Sequence, residues 1–336
     1  MSTFPGSFSV RGDVFAHRPD ESGKVLKAAP SLSGQDGAMI VDRYAPSPTS
    51  DLHLGNLRTA LAGWLLARSA GGRWLMRVED LDTARVRAAD GVEARQLADL
   101  ASLGLGWDGD VVRQSERLDL YWDAVASLPT YECFCTRREI AEAASAPHDG
   151  YRAYPGTCRE LTEARRAELR AVRSPAIRVD ARGARFTVDD VHAGPVTGEV
   201  DDFVLVRGDG QYAYNLAVVV DDVAMGVNHI TRGVDLLSSA PRQAWLTAQL
   251  GGLPATYAHI GLVLNADGQR LAKRDGAVSL RDLAADPSEV LALLSSSLGL
   301  GECRTTEEAL AAMPGDQRFF QGATWVDGTL AQEAAA

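Results

Sequence analysis

The sequence predicts an α/β fold built on a parallel sheet. Short apolar runs alternate with Leu- and Ala-rich helical stretches from residue 40 onward. Glycine pairs stop the helical stretches, and a Pro/Ser/Gly loop separates the first run from the first helix. Strand, helix, strand, helix at this spacing is the signature of parallel strands joined by helical crossovers.

The elements follow in order. Residues 1–38 hold Gly, Ser, Pro and scattered charges with no sustained period, and are expected to be a tail without regular order. Met39 precedes the first good strand and is a candidate biological start, which N-terminal sequencing of the native protein would test. "MIVDRYA" reads as a strand, "PSPTSDLHLGN" as a loop, and "LRTALAGWLLARSAGG" as an amphipathic helix stopped by Gly71-Gly72. "RWLMRVED" is a second strand and "GVEARQLADLASLGL" a second helix. Between about 130 and 205 the pattern breaks into a cysteine group, a charged helix "TEARRAELRAV" and a short-strand region "AIRVDARGARFTVDDV", which reads as an inserted module. The α/β pattern resumes in "DDFVLVRGDGQYAYNLAVVVDD", read as two strand-like runs around Gly-Asp-Gly turn chemistry. "LLSSAPRQAWLTAQLGG" is another Gly-stopped helix. After Val278 come short helical stretches and a tail of low order.

Bulk properties narrow the function. With 336 residues, 46% hydrophobic and 24% charged, the chain can bury a sizeable core and suits two or three modules. A net charge of −11 argues against a DNA-coating protein, although a local basic stripe could still serve an RNA partner. Four cysteines do not make a secreted disulfide scaffold. No run approaches ~18 apolar residues, and the N-terminus lacks a signal-peptide core. The expectation is a cytoplasmic protein with no membrane and no DNA partner.

Two segments carry chemistry of their own. The loop from Pro46 through His53, Gly55 and Asn56 follows a strand and opens a helix, where free amides and the helix dipole suit a phosphate. Gly55 allows close approach of backbone, and His53 and Asn56 could add donors; the plain alternative is a capped βα turn in which His53 bonds only backbone. Cys133-Phe-Cys135 is followed by Tyr154-Pro-Gly-Thr-Cys158. Three thiolates and one further donor would form a tetrahedral zinc set, against the alternative of free buried cysteines. On chemistry alone His148 is the natural fourth ligand. Cys303 lies far off and reads as an ordinary thiol.

"RYAPSPTSDLHLGN" followed by "RWLMRVEDLDTARV" resembles the class I glutamyl-tRNA synthetase catalytic domain. His53-Leu-Gly55-Asn56 resembles that class's His-Ile-Gly-His signature. The similarity extends through "WDGDVVRQSERLDLY", "YAYNLAVVVDD", "ITRGVDLL" and "LNADGQRLAKRDG", roughly residues 40 to 290. It implies a class I synthetase Rossmann-type parallel sheet with an inserted zinc-containing module and a short helical C-terminal remnant. The implied layout is a tail at 1–38, catalytic halves at 39–129 and 206–290, an RNA-facing module at 130–205, and a helical remnant and tail at 291–336. The resemblance places Arg43, Tyr44, Ala45, Pro46 and Ser47 in a glutamate-binding strip. Glu79 matches the carboxylate that holds the substrate amino group, and Tyr214 and Arg232 match residues that close the amino-acid pocket. A guanidinium suits the substrate's side-chain carboxylate because it pairs bidentately. A solvated acidic turn is the alternative for Glu79, Asp80 and Asp82, and Asp221-Asp222 is read as structural, in loop capping.

The second signature of the class is Lys-Met-Ser-Lys-Ser or Lys-Leu-Ser-Lys, where this chain has Arg270-Leu-Ala-Lys273-Arg274. Lys273 keeps the lysine expected to meet the ATP phosphates; Arg270 keeps charge but not lysine geometry. His53, Gly55, Asn56, Arg270 and Lys273 are thus the implied ATP-binding set, with His53 and Lys273 catalytic and Mg2+ accompanying ATP. Only 63 residues follow Lys273, too few for anticodon-reading domains of typically ~100 residues. That shortness, together with C-x-C and Tyr-x3-Cys, resembles the glutamyl-queuosine tRNA(Asp) synthetase family. The resemblance makes Cys133, Cys135, Tyr154 and Cys158 the zinc ligands. It implies activation of L-glutamate with ATP and transfer to queuosine in the tRNA(Asp) anticodon stem-loop. A minimal synthetase charging an acceptor end, or a catalytically silent RNA-binding paralogue, are the alternatives.

Overall fold

The computed structural model describes residues 26–27, 39–136, 138–140, 153–265, 267–268, 279–283, 285–315, 322–326 and 329–332. The first part runs β1 (Leu26–Lys27), β2 (Val41–Tyr44), α1 (Leu54–Ser69), β3 (Arg73–Val78), α2 (Thr83–Arg87), α3 (Val92–Ser102), β4 (Val112–Arg113) and α4 (Leu118–Ser127). There follow β5 (Thr130–Cys133), α5 (Glu163–Arg170), β6 (Ala176–Val179), β7 (Ala184–Asp190), β8 (Gly194–Val200) and β9 (Val204–Val206). The rest comprises α6 (Tyr214–Ala224), β10 (His229–Gly233), α7 (Ala240–Gln249), β11 (Thr256–Ile260), β12 (Val263–Leu264), α8 (Leu280–Leu283), α9 (Pro287–Ser297), α10 (Thr306–Ala311), β13 (Ala323–Val326) and β14 (Thr329–Gln332).

Strand β2 pairs in parallel with β3, β3 with β4, and β10 with β11. Beyond β11 lies β7, with β8 antiparallel to it and β1 parallel to it. The two parallel pieces meet where β2 runs beside β10. Asn228 N–H donates to Val41 O, and its side-chain Oδ1 accepts from Val41 N. Asp42, fully buried, completes the seam by accepting from the Thr231 hydroxyl at 2.6 Å and facing His229 Nδ1 at 3.0 Å. One carboxylate therefore replaces part of a backbone ladder and fixes the strand order.

Both faces of this sheet are covered, as parallel strands require. Along β3, Trp74 and Met76 enter a core with Leu57, Leu61, Leu291 and Leu294, whereas Leu75 enters the opposite core with Tyr121, Leu216, Val219 and Tyr257. The alternation is the period-two geometry of a strand. Gly72 ends the α1–β3 turn where a Cβ would lie 2.4 Å from Ile40 O, so the close approach excludes other residues. A separate antiparallel sheet, β5–β6–β9, carries the cysteine group.

Four expectations change. The run after the Gly-Asp-Gly turn is helix α6, not a strand. A continuous apolar run does not distinguish the two, and here the acidic pair decides. On a strand Asp221 and Asp222 would point to opposite faces, whereas on α6 both reach arginines in the core. They do not cap a loop. Helix α1 is buried on most sides rather than amphipathic, with Arg58 satisfied by Gly261 O, Ser297 O and Ser297 Oγ. After α10 the expected low-order tail contributes β13, which pairs with β12, and β14, which pairs with β13. Of residues 1–38, only β1 is described.

Candidate active site

A cavity of ≈ 420 Å³ opens at the carboxyl ends of β2, β3 and β10, where the chain leaves in opposite directions along the sheet. Arg43, Tyr44, Ala45, Pro46, Ser47, His53, Gly55, Asn56, Glu79, Tyr214 and Arg232 all line it. Every cleft residue expected from the sequence and lying among the described residues is therefore brought to one place. Arg270 and Lys273 lie outside the described residues, as does His148. Ser279, shortly after Lys273 in the chain, forms an antiparallel bridge with His53. Arg281 anchors the same stretch to α3 through Asp99 at 2.7 Å.

The helix end is not an open set of amides. His53 is the N-cap of α1, and its Nδ1 accepts from Gly55 N at 3.1 Å and Asn56 N at 3.3 Å. Asn56 Oδ1 in turn accepts from His53 N, closing a capping box. The capped-turn alternative is thus part of the structure, and the expectation of free amides at this position is corrected. Because Nδ1 accepts, a neutral His53 carries its proton on Nε2, where it is a donor. Tyr44 is likewise engaged, donating its hydroxyl to Asn56 O at 3.2 Å and stacking on Trp74. Gln96, not singled out in the sequence, ties the loop to α3 by donating to Ser47 O and Ser50 O.

Charge under the cleft is arranged in pairs. Arg43 Nε lies 3.0 Å from Asp222 Oδ1, and Arg77 Nη1 lies 2.5 Å from the same oxygen. Arg77 Nη2 holds Glu79 at 3.1 Å. Asp221 is met by Arg117 at 2.6 Å, Tyr121 and Gln114. Three arginines face three carboxylates, so this cluster is neutral. Burial pushes the Glu79 carboxyl above its usual value, opposed by Arg77 and Arg43. Burial pushes Asp222 up as well, but Arg43 and Arg77 outweigh it and hold it below the usual carboxylate range. Glu79 is thus part of a buried ion-pair network, not a solvated acidic turn.

Arg232 differs. It is 5% exposed, and burial holds its guanidinium below its usual value. Its partners are all neutral: His259 Nε2 at 2.9 Å, Gln243 Oε1 at 2.5 Å, Leu236 O at 3.1 Å and Ser239 Oγ at 3.3 Å. Among the described residues no carboxylate pairs with it. Removing a cation from water without a counter-ion is costly, and an anion in the cleft would offset that cost.

The second predicted centre also assembles. The sulfurs of Cys133, Cys135 and Cys158 lie within 4.8 Å of one another. Tyr154 Oη is 3.4 Å from Cys133 Sγ and 3.6 Å from Cys135 Sγ, and Cys135 and Cys158 sulfurs are 3.5 Å apart. Tetrahedral ligands about 2.3 Å from zinc would stand about 3.8 Å apart, so the donor set has the right size and softness. Burial pushes the Cys135 thiol up to about 12 and raises the Tyr154 hydroxyl above its usual value, whereas burial of the Cys158 thiol is outweighed by hydrogen bonds, the Tyr154 hydroxyl's first, which hold it below its own. A bound divalent metal would favour the ionised form of each. Arg178, stacked 3.7 Å from the Tyr154 ring centroid, adds positive charge beside the phenol.

Comparison with known proteins agrees with this geometry. Residues 39–320 match the family of class I tRNA synthetases (E and Q), catalytic domain. A glutamyl-Q tRNA(Asp) synthetase of Cutibacterium acnes is 58% identical over 270 residues, covering 79% of this chain and 78% of the relative. Another from Nocardia farcinica is 56% identical over 280 residues, covering 81% and 87%. The chain belongs to the glutamyl-Q tRNA(Asp) synthetase family. Its fold is similar to a glutamate tRNA ligase of Elizabethkingia meningosepticum solved with its amino acid, with a TM-score of 0.72 and 25% identity over 86% of this chain and 67% of that one. As a member of this class I family, the chain is a ligase acting on tRNA, with the expected α/β parallel-sheet architecture. No helix among the described residues is long and apolar enough to cross a membrane.

Sequence reasoning missed the supports of this cleft: Arg77, Gln96, Asp190, Gln243 and His259. The signal for Arg77 was present, a charged residue between Met76 and Val78 in a strand otherwise apolar after Arg73. His259 gave the same signal in "TYAHI".

Proposed function

We propose that this enzyme activates L-glutamate with ATP as glutamyl-adenylate and transfers the glutamyl group to queuosine in the anticodon stem-loop of tRNA(Asp). The observation that carries the glutamate reading is Arg232, a buried cation among neutral partners, sharing a cleft with the partly buried carboxylate of Glu79. A substrate with a side-chain carboxylate and an amino group answers both. Glu79 receives the amino group and Arg232 the side-chain carboxylate. Tyr214 closes the pocket and the Arg43–Ser47 strip orients the substrate's backbone atoms. The α-carboxylate then stands towards the His53 end of the cleft.

In the first step a carboxylate oxygen of glutamate attacks the α-phosphorus of ATP, and the bond to pyrophosphate breaks. His53 donates from Nε2 to phosphate oxygen, Gly55 lets the nucleotide approach the backbone, Asn56 adds a side-chain amide, and Arg270 and Lys273 supply positive charge. Mg2+ bound with ATP offsets phosphate charge. In the second step a cyclopentene-diol hydroxyl of queuosine attacks the activated carbonyl carbon, loses its proton, and AMP departs. Holding reactants in place should supply most of the rate. Cys133, Cys135, Tyr154 and Cys158 would hold one structural Zn2+, and the β5–β9 module around it shapes the RNA entrance. ATP, glutamate and tRNA meet in the cytoplasm, where the enzyme would act.

Glutamate-dependent exchange of labelled pyrophosphate into ATP, measured without tRNA, tests the first step. Exchange with glutamate and not aspartate or glutamine is expected; no exchange with any amino acid would refute activation.

A further inference from the structure

Arg232 is tethered through a chain of buried groups that neither Arg43 nor Arg77 possesses. Its Nε–H donates to His259 Nε2 at 2.9 Å. His259 can accept there only if its ring proton sits on Nδ1, and Nδ1 lies 2.6 Å from Asp190 Oδ2. Asp190 is itself fixed, because Oδ1 accepts from the amides of His192 and Ala193 at 2.8 Å. Asp190 and His259 are 4% and 3% exposed, so neither orders itself against water. Tyr257 lies against both His259 and the guanidinium, with ring centroid 5.7 Å and 5.2 Å away.

The contrast with Arg43 and Arg77 gives the chain a purpose. Those two arginines meet carboxylates at contact distance, and their charge is balanced before any substrate arrives. A carboxylate placed directly on Arg232 would do the same and compete with an incoming anion. His259 instead holds the guanidinium by its Nε edge and moves the compensating carboxylate one residue back. The orientation is fixed while the charge stays available.

We propose that Asp190 and His259 are positioning residues that aim Arg232 at the side-chain carboxylate of the amino-acid substrate, and so set its preference for glutamate over glutamine. This rests on the glutamate reading above. Asp190→Asn keeps an oxygen for the His192 and Ala193 amides but turns an NH2 toward His259. The ring proton then moves to Nε2, and two donors face each other at Arg232. His259→Phe removes the acceptor; His259→Gln offers a new one.

The test is tRNA-independent pyrophosphate exchange, with KM for glutamate, KM for ATP and the glutamate-to-glutamine ratio of kcat/KM measured for each variant. Losing a hydrogen bond to a charged group predicts a rise of about tenfold or more in KM for glutamate for Asp190→Asn and His259→Phe. KM for ATP should stay within about twofold, the glutamate-to-glutamine ratio should fall, and His259→Gln should recover most of the loss. Unchanged KM for glutamate in Asp190→Asn and His259→Phe would overturn the proposal. So would a parallel rise in both KM values, which is the mark of a loosened fold. A wild-type enzyme that shows no exchange with glutamate would overturn the functional reading as well; an active wild type with indifferent variants overturns the positioning role alone.

Discussion

Two kinds of arginine define the cleft at the scale of single residues. Arg43 and Arg77 share Asp222 and give the pocket floor a neutral, rigid charge cluster. Arg232 has only neutral hydrogen-bond partners among the described residues. Glu79 belongs to both worlds, since Arg77 holds it while its carboxylate lines the cleft. Replacing Glu79 by Gln keeps the shape and removes the negative charge that would meet a substrate ammonium. We expect KM for glutamate to rise by about tenfold or more with KM for ATP little changed, measured by pyrophosphate exchange, because a charge-assisted hydrogen bond becomes a neutral one. The strip, Glu79, Tyr214 and Arg232 were legible from motifs alone, since each belongs to a segment whose order along the chain carries the resemblance. Their partners were not. Asp190 and His259 lie far apart in sequence and meet only because β7 and β11 are neighbours, and a single chain without its contacts cannot show that pairing.

Elements explain why the reading succeeded unevenly. Strand β3, helix α3 and helix α5 stand where the sequence pattern places them, and Thr162 caps α5 by accepting from the Arg165 amide. Helix α6 reads as a strand because three consecutive valines favour one on propensity, while the tertiary need to bring Asp221 to Arg117 and the adjacent Asp222 to Arg43 and Arg77 favours a helix. The cysteine module shows the opposite case. Chemistry alone favoured His148 as the fourth ligand and the resemblance favoured Tyr154; folding brings Tyr154 Oη beside the Cys133 and Cys135 sulfurs and the Cys158 amide, and His148 lies outside the described residues. Cys135→Ser should lower zinc content well below one ion per chain by elemental analysis and lower the melting temperature; full zinc content would refute its role as a ligand. Lys273→Ala should slow pyrophosphate exchange by a factor of about 100 or more if its ammonium meets phosphate charge developing in the reaction, and a near-normal rate would remove it from the mechanism.

Across the whole molecule, the sheet joins the cleft at the carboxyl ends of β2, β3 and β10 to a buried Asp–His pair on β7 and β11, and this pair gives stability a pH dependence. Burial lowers the His259 pKa below its ordinary value of 6.5. The unfolded chain therefore takes up a proton that the folded chain refuses, and stability falls as the pH drops below about 6.5. Burial pushes Asp190 up, but its hydrogen bonds from His259 and two amides outweigh that and hold it below its usual value. Its contribution is lost only at lower pH, as the pH falls through the depressed value. Urea midpoints should thus decline less steeply between pH 7 and pH 5 for His259→Gln than for the wild type; parallel slopes would contradict the assignment. The broad architecture was legible because βαβ order survives in one sequence, whereas β13 and β14 were hidden in a terminal stretch with little periodicity. Passage of the activated glutamate to queuosine is tested by transfer of labelled glutamate to tRNA from cells that do or do not make queuosine. Label is expected only on queuosine-containing tRNA(Asp), held on the anticodon base. Label on both pools at a 3′ end, or no label on either, would contradict it.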